Sequence, residues 1–455
     1  MRVPRTFRGR LIAITVLGLA VRLAYTLTVA HDFELKGDAS YYHQAANLLA
    51  DGRGFVDPVR IARAGQSIEI VTANGEPRTI TLPDPFVVPT AGHPPLYVVY
   101  LAFFSKLGVR SILGHRIASA LLGSVSVFLA GLAGRELVRS RVHADATGLV
   151  AAALTASYGF MWINDGLVMS ETAAIVVAFA ATIAGLRFAH EPTRRNAAWF
   201  GLAGAFAALT RAELVLYLPV LAAAVLVRAP IAWRERVVRY GIAGVVAMAC
   251  VSPWVIRNLT AFEEPVFLSN GAGTVLVQAN CDATYYGAEL GYWNLGCGEP
   301  QPYGPNGEIL DEAQRDKVVR DRALDYIGDH QQRLLTVIVP RRVGRMWGVY
   351  RPLHQIDLDV IFEARARWVS LLAYGQYLVL APCAVAGVII SRRRRIPLLA
   401  TGLWAVLATI TAAGTFGNTR YRTAGEVSIV LLASLTFVAL GERYIARTRR
   451  EPTPS

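Results

Sequence analysis

Apolar residues in this chain run in blocks of fifteen to twenty-five, and the blocks repeat from one end to the other. A helix rises about 1.5 Å per residue, so each block is long enough to cross a hydrocarbon core of about 30 Å. Of 455 residues 54% are hydrophobic and 17% charged, too few polar groups to cover soluble domains of that size. A disordered chain, a secreted disulfide scaffold and a cytosolic enzyme are excluded. The pattern specifies an all-α polytopic membrane protein.

The expected spans are 11–30, 111–134, 145–163, 171–189, 197–210, 213–228, 239–256, 368–390, 397–415 and 424–442. The fifth and sixth are short and turn at Thr210-Arg211-Ala212-Glu213. Two more apolar stretches, 95–107 and 334–350, are ambiguous: the first is short, and the second holds a proline and three arginines. Arginine placement decides between the topologies. With ten spans, Arg2, Arg5, Arg8 and Arg10 share one side with Arg135, Arg139 and Arg141, and with Arg187, Arg194 and Arg195. The same side takes Arg228, Arg234, Arg236 and Arg239, then Arg392 to Arg395, then Arg443, Arg447, Arg449 and Arg450. These twenty-two positive charges mark the cytoplasm and put both termini there, in a multi-pass plasma-membrane protein. Counting 95–107 as an eleventh span flips every later loop and puts Arg135–Arg141 and Arg234–Arg239 outside. Both ambiguous segments are therefore expected in the outer interface as partly embedded helices. The net charge of +13 is a topology signal on this reading, and nucleic acid is not an expected partner.

The basic start and apolar run admit a cleaved signal peptide, but a twenty-residue run broken by Arg22 suits a retained first helix. Arg22 itself reads either as a packing residue or as a functional intramembrane charge. Two large outer segments follow, 31–110 and 257–367. The chain divides into a transmembrane module with the first outer loop (1–257), an outer loop with interfacial helices (258–367), and terminal spans with a cytoplasmic tail (368–455).

The first outer segment begins Phe33-Glu34-Leu35-Lys36-Gly37-Asp38, after which Ala39 to Ala50 carries apolar residues at helical spacing and Asp51-Gly52 ends the helix. Ser67–Ala73 and Arg78–Leu82 alternate around Asn74-Gly75, a β-hairpin pattern. Gly92-His93-Pro94-Pro95 then opens the 95–107 helix. In the second segment Cys281 and Cys297 are two of four cysteines, and on an oxidising face their spacing reads as a disulfide. Asp311–Gln332 reads as a charged amphipathic helix.

The sequence has no P-loop, His-Glu-x-x-His helix, dinucleotide turn or lipase-type Gly-x-Ser-x-Gly, so a nucleotide-driven pump is not expected. What remains is acids and arginines at the outer ends of spans. Asp38 suits a helix cap or a catalytic acid. Glu171 suits a first-turn acid favoured by the helix dipole or a second catalytic carboxylate. Arg211 and Glu213, Arg257 and Asn258, and Arg420-Tyr421-Arg422 suit interfacial anchors or phosphate-binding forks. The positive-inside rule predicts few arginines on this face, which favours the second use.

Asp38 with its helix, Gly92-His93-Pro94-Pro95-Leu96-Tyr97, Ser170-Glu171-Thr172, Leu209-Thr210-Arg211-Ala212-Glu213, Pro253-Trp254-Val255-Ile256-Arg257-Asn258 and Arg420-Tyr421-Arg422 occur in an order that resembles the GT-C membrane glycosyltransferases. The resemblance is to family 39, the dolichyl-phosphate-mannose protein mannosyltransferase type, and to the lipid A aminoarabinose transferases. It implies a bacterial cell-envelope enzyme of the GT-C fold that moves a sugar from a polyprenyl-phosphate donor to a hydroxyl or amine of a protein, glycan or lipid acceptor. Asp38 and Glu171 take the catalytic positions, with Asp38 the base of an inverting displacement. Arg211, Arg420, Arg422 and Arg257 are expected on the donor phosphate. Tyr41, Tyr42, His93, Glu213, Asn258 and Tyr421 are expected to line the pocket. Aminoarabinose-type relatives carry a metal-liganding Glu where this chain has Gly92, so the resemblance leaves a divalent metal open. Membrane lipids are the other partner. The alternatives are a secondary transporter or lipid-linked-sugar flippase, which requires acids near the bilayer midplane and an internal repeat, and a non-catalytic lipid-binding scaffold.

Overall fold

A computed structural model describes residues 6–72, 75–139, 142–304 and 307–448. The expected arginines Arg2, Arg5, Arg141, Arg449 and Arg450, and Ala73 and Asn74 of the hairpin, lie outside the described residues. Helices stand at all ten expected positions: Phe7–Thr28, Ile112–Leu137, Ala144–Ser157, Glu171–His190, Arg194–Thr210, Tyr217–Arg228, Trp233–Ala261, Arg367–Arg393, Leu399–Gly414 and Thr423–Thr448. Six of these stretches are long and apolar enough to cross a bilayer. The other four, at 12 to 17 residues, are shorter than a perpendicular span requires.

The Thr423–Thr448 helix forms the centre, packed by Arg367–Arg393, Leu399–Gly414, Ala144–Ser157 and Glu171–His190. Ile112–Leu137 holds Phe7–Thr28, Ala144–Ser157 and Glu171–His190 together. Close crossings depend on small residues, because lipid gives helices no hydrophobic reason to associate and backbone approach must supply the contact. Added side-chain atoms at Gly131, Gly201 and Gly387 would run into Leu11, the Ala243 carbonyl and the Leu432 carbonyl respectively. Elsewhere shape comes from aromatics: Trp404 stacks on Tyr217 with ring centres 3.7 Å apart and donates its indole N–H to Thr182 Oγ1 at 2.8 Å.

Arg22 resolves as a packing charge. Its Nε donates to Asp165 Oδ2 at 2.7 Å, both side chains are buried, and Thr172 Oγ1 donates to the other carboxylate oxygen at 2.8 Å. Gly123 leaves the space that Asp165 fills. Removing one partner of a buried ion pair strands the other, so Arg22→Leu is expected to cost about 3–5 kcal/mol. Thermal melting in detergent checks this, and an unchanged midpoint would contradict it.

In the first outer segment the helix runs Gly37–Ala50, ends at Asp51, and Gly52 takes a left-handed φ of 79°. Its Tyr42, Ala45 and Ala46 pack on Tyr97, Val98 and Leu101 of the Leu96–Lys106 helix. The hairpin pairs β1 (Ser67–Val71) with β2 (Pro77–Thr81), Ser67 opposite Thr81. In the second segment the charged helix spans Glu312–Asp329, started by Asp311, which accepts from the Gln314 N–H while the Gln314 side chain accepts from the Asp311 N–H. Cys281 and Cys297 are joined by a disulfide.

The 334–350 segment is helical from Leu334 to Met346, and two of its three arginines turn into the protein. Arg342 and Arg345 are buried in protein. Arg342 donates to the Ala279 carbonyl at 2.7 Å and to Asn280 Oδ1 at 2.9 Å, and Arg345 donates to the Leu290 carbonyl at 2.7 Å. A guanidinium has five donors, and here backbone and side-chain carbonyls take several of them in place of a carboxylate.

Candidate active site

Five separate stretches meet at one end of the helix bundle, around a cavity of about 890 Å³. The first is the start of the Gly37–Ala50 helix, which is pinned by Arg116: its guanidinium donates to the His31 carbonyl at 2.6 Å and to the Phe33 carbonyl. The second is the Ser170–Glu171 turn, fixed from below by the Asp165–Thr172 bond. The third is Arg211, which ends the Arg194–Thr210 helix with extended backbone (φ −150°). The fourth is the end of the Pro352–Glu363 helix, and the fifth is the Asn418–Arg420 turn. These last two are tied together by Asp359 and Arg365. Asp359 Oδ2 accepts from Thr419 Oγ1 at 2.6 Å and from Arg365 at 3.0 Å, and Arg365 also reaches Thr419 and Asn164.

The side chains from these stretches form one chain of ion pairs. Arg420 is the hub: Nη2 donates to Asp38 Oδ2 at 2.6 Å, Nε to Glu171 Oε1 at 2.6 Å, and Nη1 reaches Glu363 Oε2 at 3.2 Å. Arg211 extends it, with Nη1 2.8 Å from Glu171 Oε1 and Nε 2.5 Å from Glu213 Oε1. Glu171 is fully buried, and its Oε2 has no hydrogen-bond partner among the described residues. Asp38 keeps 33% of its side chain open to the cavity, and its Oδ1 lies 3.5 Å from His93 Nε2. Asp38 therefore lies within the first helical turn but caps nothing; Lys36 is at the cap position and its side chain accepts no bond.

Burial opposes a charge on Asp38, yet the Arg420 guanidinium and then His93 outweigh it and hold its carboxyl well below the usual carboxylate range. Glu363 goes the other way: burial raises it above the ordinary value despite Arg420 and Arg365. Four carboxylates on two guanidiniums carry excess negative charge, and Glu363 is the member of the cluster that burial makes easiest to protonate. Tyr42, raised by burial and then by Asp38 and Glu171, stays a neutral hydroxyl.

Of the residues singled out in the sequence, Asp38, Glu171, Arg211, Arg420, Glu213 and Tyr421 come together with Tyr42 and His93. Tyr41 lies behind His93, ring centres 5.0 Å apart, bonded to Thr90. Arg422 is elsewhere. It turns into the bundle, pairs with Glu426 at 2.5 Å and lies over Tyr377. Arg257 donates to the Thr90 and Phe55 carbonyls at 2.8 and 2.6 Å and lies over Trp254; Asn258 is buried beside it. Neither lines the cavity.

Two carboxylates here escaped the sequence reading. Glu363 follows the three apolar residues Val360-Ile361-Phe362, and that was its only signal. Glu312 approaches Gly92 so closely that an added Cβ there would lie 3.1 Å from its Oε1. Its carboxylate is engaged by Thr90 Oγ1, the Ala91 N–H and Asn270 Nδ2. Among the described residues no group of three or more His, Cys, Asp or Glu is placed to hold a metal ion, so the donor set at Gly92 and His93 does not fit one.

Comparison with known proteins gives a family match over part of the chain. Residues 92–256 match the family described as dolichyl-phosphate-mannose-protein mannosyltransferase, in agreement over that stretch with the GT-C resemblance read from the motifs. Similar solved structures include ArnT from Cupriavidus metallidurans bound to undecaprenyl phosphate, with 15% identity over 97% of this chain and 81% of that one, at a TM-score of 0.39. The same protein in its apo state gives 14% identity over 92% and 76%, at 0.38. No curated protein matches the sequence significantly.

Proposed function

We propose that the chain is a membrane glycosyltransferase that moves a sugar from a polyprenyl-phosphate carrier to an acceptor hydroxyl or amine at the outer membrane face. The observation that carries this reading is the ion-pair chain itself: Asp38, Arg420 and Arg211, drawn from distant parts of the sequence, line one cavity with an apolar side, and buried Glu171 joins the two arginines behind its wall. The family matched by residues 92–256 is named for a lipid-phosphate-linked mannose, the same class of donor. Ten crossings with cytoplasmic termini, the arginine-rich loops inside, remain the topology that puts this cavity outside.

In the reaction the acceptor oxygen attacks the anomeric carbon as its bond to the phosphate oxygen breaks. The acceptor proton passes to Asp38, and polyprenyl phosphate leaves with the electron pair. At rest Arg420 holds Asp38, which makes it a weak base. A phosphate arriving at Arg420 and Arg211 competes for the same N–H groups, loosens that hold and returns basicity to Asp38 when donor is present. The arginines then stabilise the charge gathering on the leaving oxygen. Glu171, locked between them, sets their spacing.

For Arg211→Ala the expected result is a loss of donor affinity, read as a KM about tenfold or more higher, since a charge-assisted bond of about 1.5–3 kcal/mol goes. Binding of the lipid phosphate at wild-type affinity would contradict the phosphate role. A transporter is less well supported: the acids lie at helix ends, and the central helix at Thr419–Thr448 is 83% buried in its apolar window, leaving little room for a path along it.

A further inference from the structure

The cavity has a second wall that the ion pairs do not explain. Trp293, Phe362 and Phe416 all line it. The Trp293 ring lies 4.9 Å from Phe362 and 6.1 Å from Phe416, and Phe416 lies 5.1 Å from Tyr421. Each arm of this wall carries a polar group beside its aromatic. Phe362 precedes Glu363, and Phe416 is followed after Gly417 by Asn418, whose Nδ2 donates to Glu363 Oε1 at 3.1 Å. Aromatic faces next to carboxylate and amide groups suit a ligand with an apolar C–H face and a rim of hydroxyls. An isoprenoid chain needs the first and has no use for the second.

Trp293 reaches the wall on a loop closed by the Cys281–Cys297 disulfide. The loop is anchored where the Gly417 N–H donates to the Gly291 carbonyl at 2.9 Å and where the Asn294 N–H donates to the Gln278 carbonyl at 2.9 Å. Tyr292, fully buried under Arg345, holds its base. Trp293 itself is only half-buried, so it packs for something other than the core.

We infer that Trp293, Phe362 and Phe416 form the platform on which the ring of the transferred sugar stacks, with the disulfide-closed loop setting its position. This rests on the transferase reading and assigns the sugar subsite within it.

The test uses the purified full chain and two probes, a polyprenyl phosphate and the same lipid phosphate carrying a hexose. Trp293→Ala should weaken binding of the sugar-bearing lipid about tenfold, as loss of aromatic contact does, and leave the bare lipid phosphate unchanged. Trp293→Phe should restore most of the loss. The double variant Cys281→Ser with Cys297→Ser should reproduce the selective loss. Equal weakening of both lipids would make the wall a lipid-chain site and overturn the inference, as would no weakening of either. A double cysteine variant with wild-type selectivity would remove the loop from it. A wild-type chain that binds neither lipid overturns the transferase reading, and the sugar platform with it.

Discussion

Asp38→Asn should reduce sugar transfer by about three orders of magnitude while leaving donor binding intact or tighter. General-base catalysis contributes about 10²–10⁴-fold, and asparagine cannot take the acceptor proton. Folding should survive, because Arg420 keeps Glu171 at 2.6 Å and Glu363 at 3.2 Å after losing the Asp38 carboxylate. Donor affinity should not fall, since one negative charge beside the lipid phosphate disappears. That combination separates a base from a structural acid, for which affinity and melting temperature would drop together. Initial rates of lipid-phosphate release, with binding measured in parallel, decide the matter. Near wild-type transfer would take Asp38 out of the mechanism.

Arg420→Ala should be the most damaging single change in the cavity. Three carboxylates lose their common partner, two of them almost wholly buried. Stranding such charges costs about 3–5 kcal/mol, so the melting transition should fall even with Arg211 still on Glu171. The loss reaches function separately, because the phosphate loses one of its two cations. A stabilising donor of this kind contributes about 10²–10³-fold to rate. Arg420→Lys should recover little, since one ammonium cannot reach three carboxylates that a guanidinium meets on different edges. The sign of the pH effect follows from Asp38. Its folded-state pKa is depressed by Arg420, so the pair stabilises the fold above the unfolded carboxylate pKa and is lost only as pH falls through the lower folded value. In Arg420→Ala that contribution should vanish and the sign should reverse: the stranded buried acids take up protons more readily than in the unfolded chain, so the variant's deficit should shrink as pH falls. A variant that melts and binds polyprenyl phosphate like the wild type would contradict both roles.

The helices were legible because membrane insertion writes itself into composition: an apolar block and a flanking arginine cluster are local signals. Arg211 and Arg420 stood out for the opposite reason, as positive charges on a face where the expected topology has few, and Asp38 and Glu171 as acids at helix starts. What the sequence hid was pairing across distance. Nothing local tells Arg22 that Asp165 waits 143 residues on, or that Glu363 will face Arg420. Arg422 had a readable signal that went unused: Glu426 lies one helical turn along, the spacing at which opposite charges meet on a helix. Nor does anything local tell Arg342 and Arg345 that the carbonyls of Ala279 and Leu290 will receive them.

The central claim is that the acids and arginines of this cavity act on a lipid-linked sugar phosphate. The most direct measurement supplies the purified wild-type chain, in lipid, with a panel of polyprenyl-phosphate sugars and acceptor extracts, and follows free polyprenyl phosphate over time. The account predicts release that depends on both donor and acceptor, for at least one sugar of the panel. Transfer from a sugar nucleotide in place of every lipid-linked donor would contradict it.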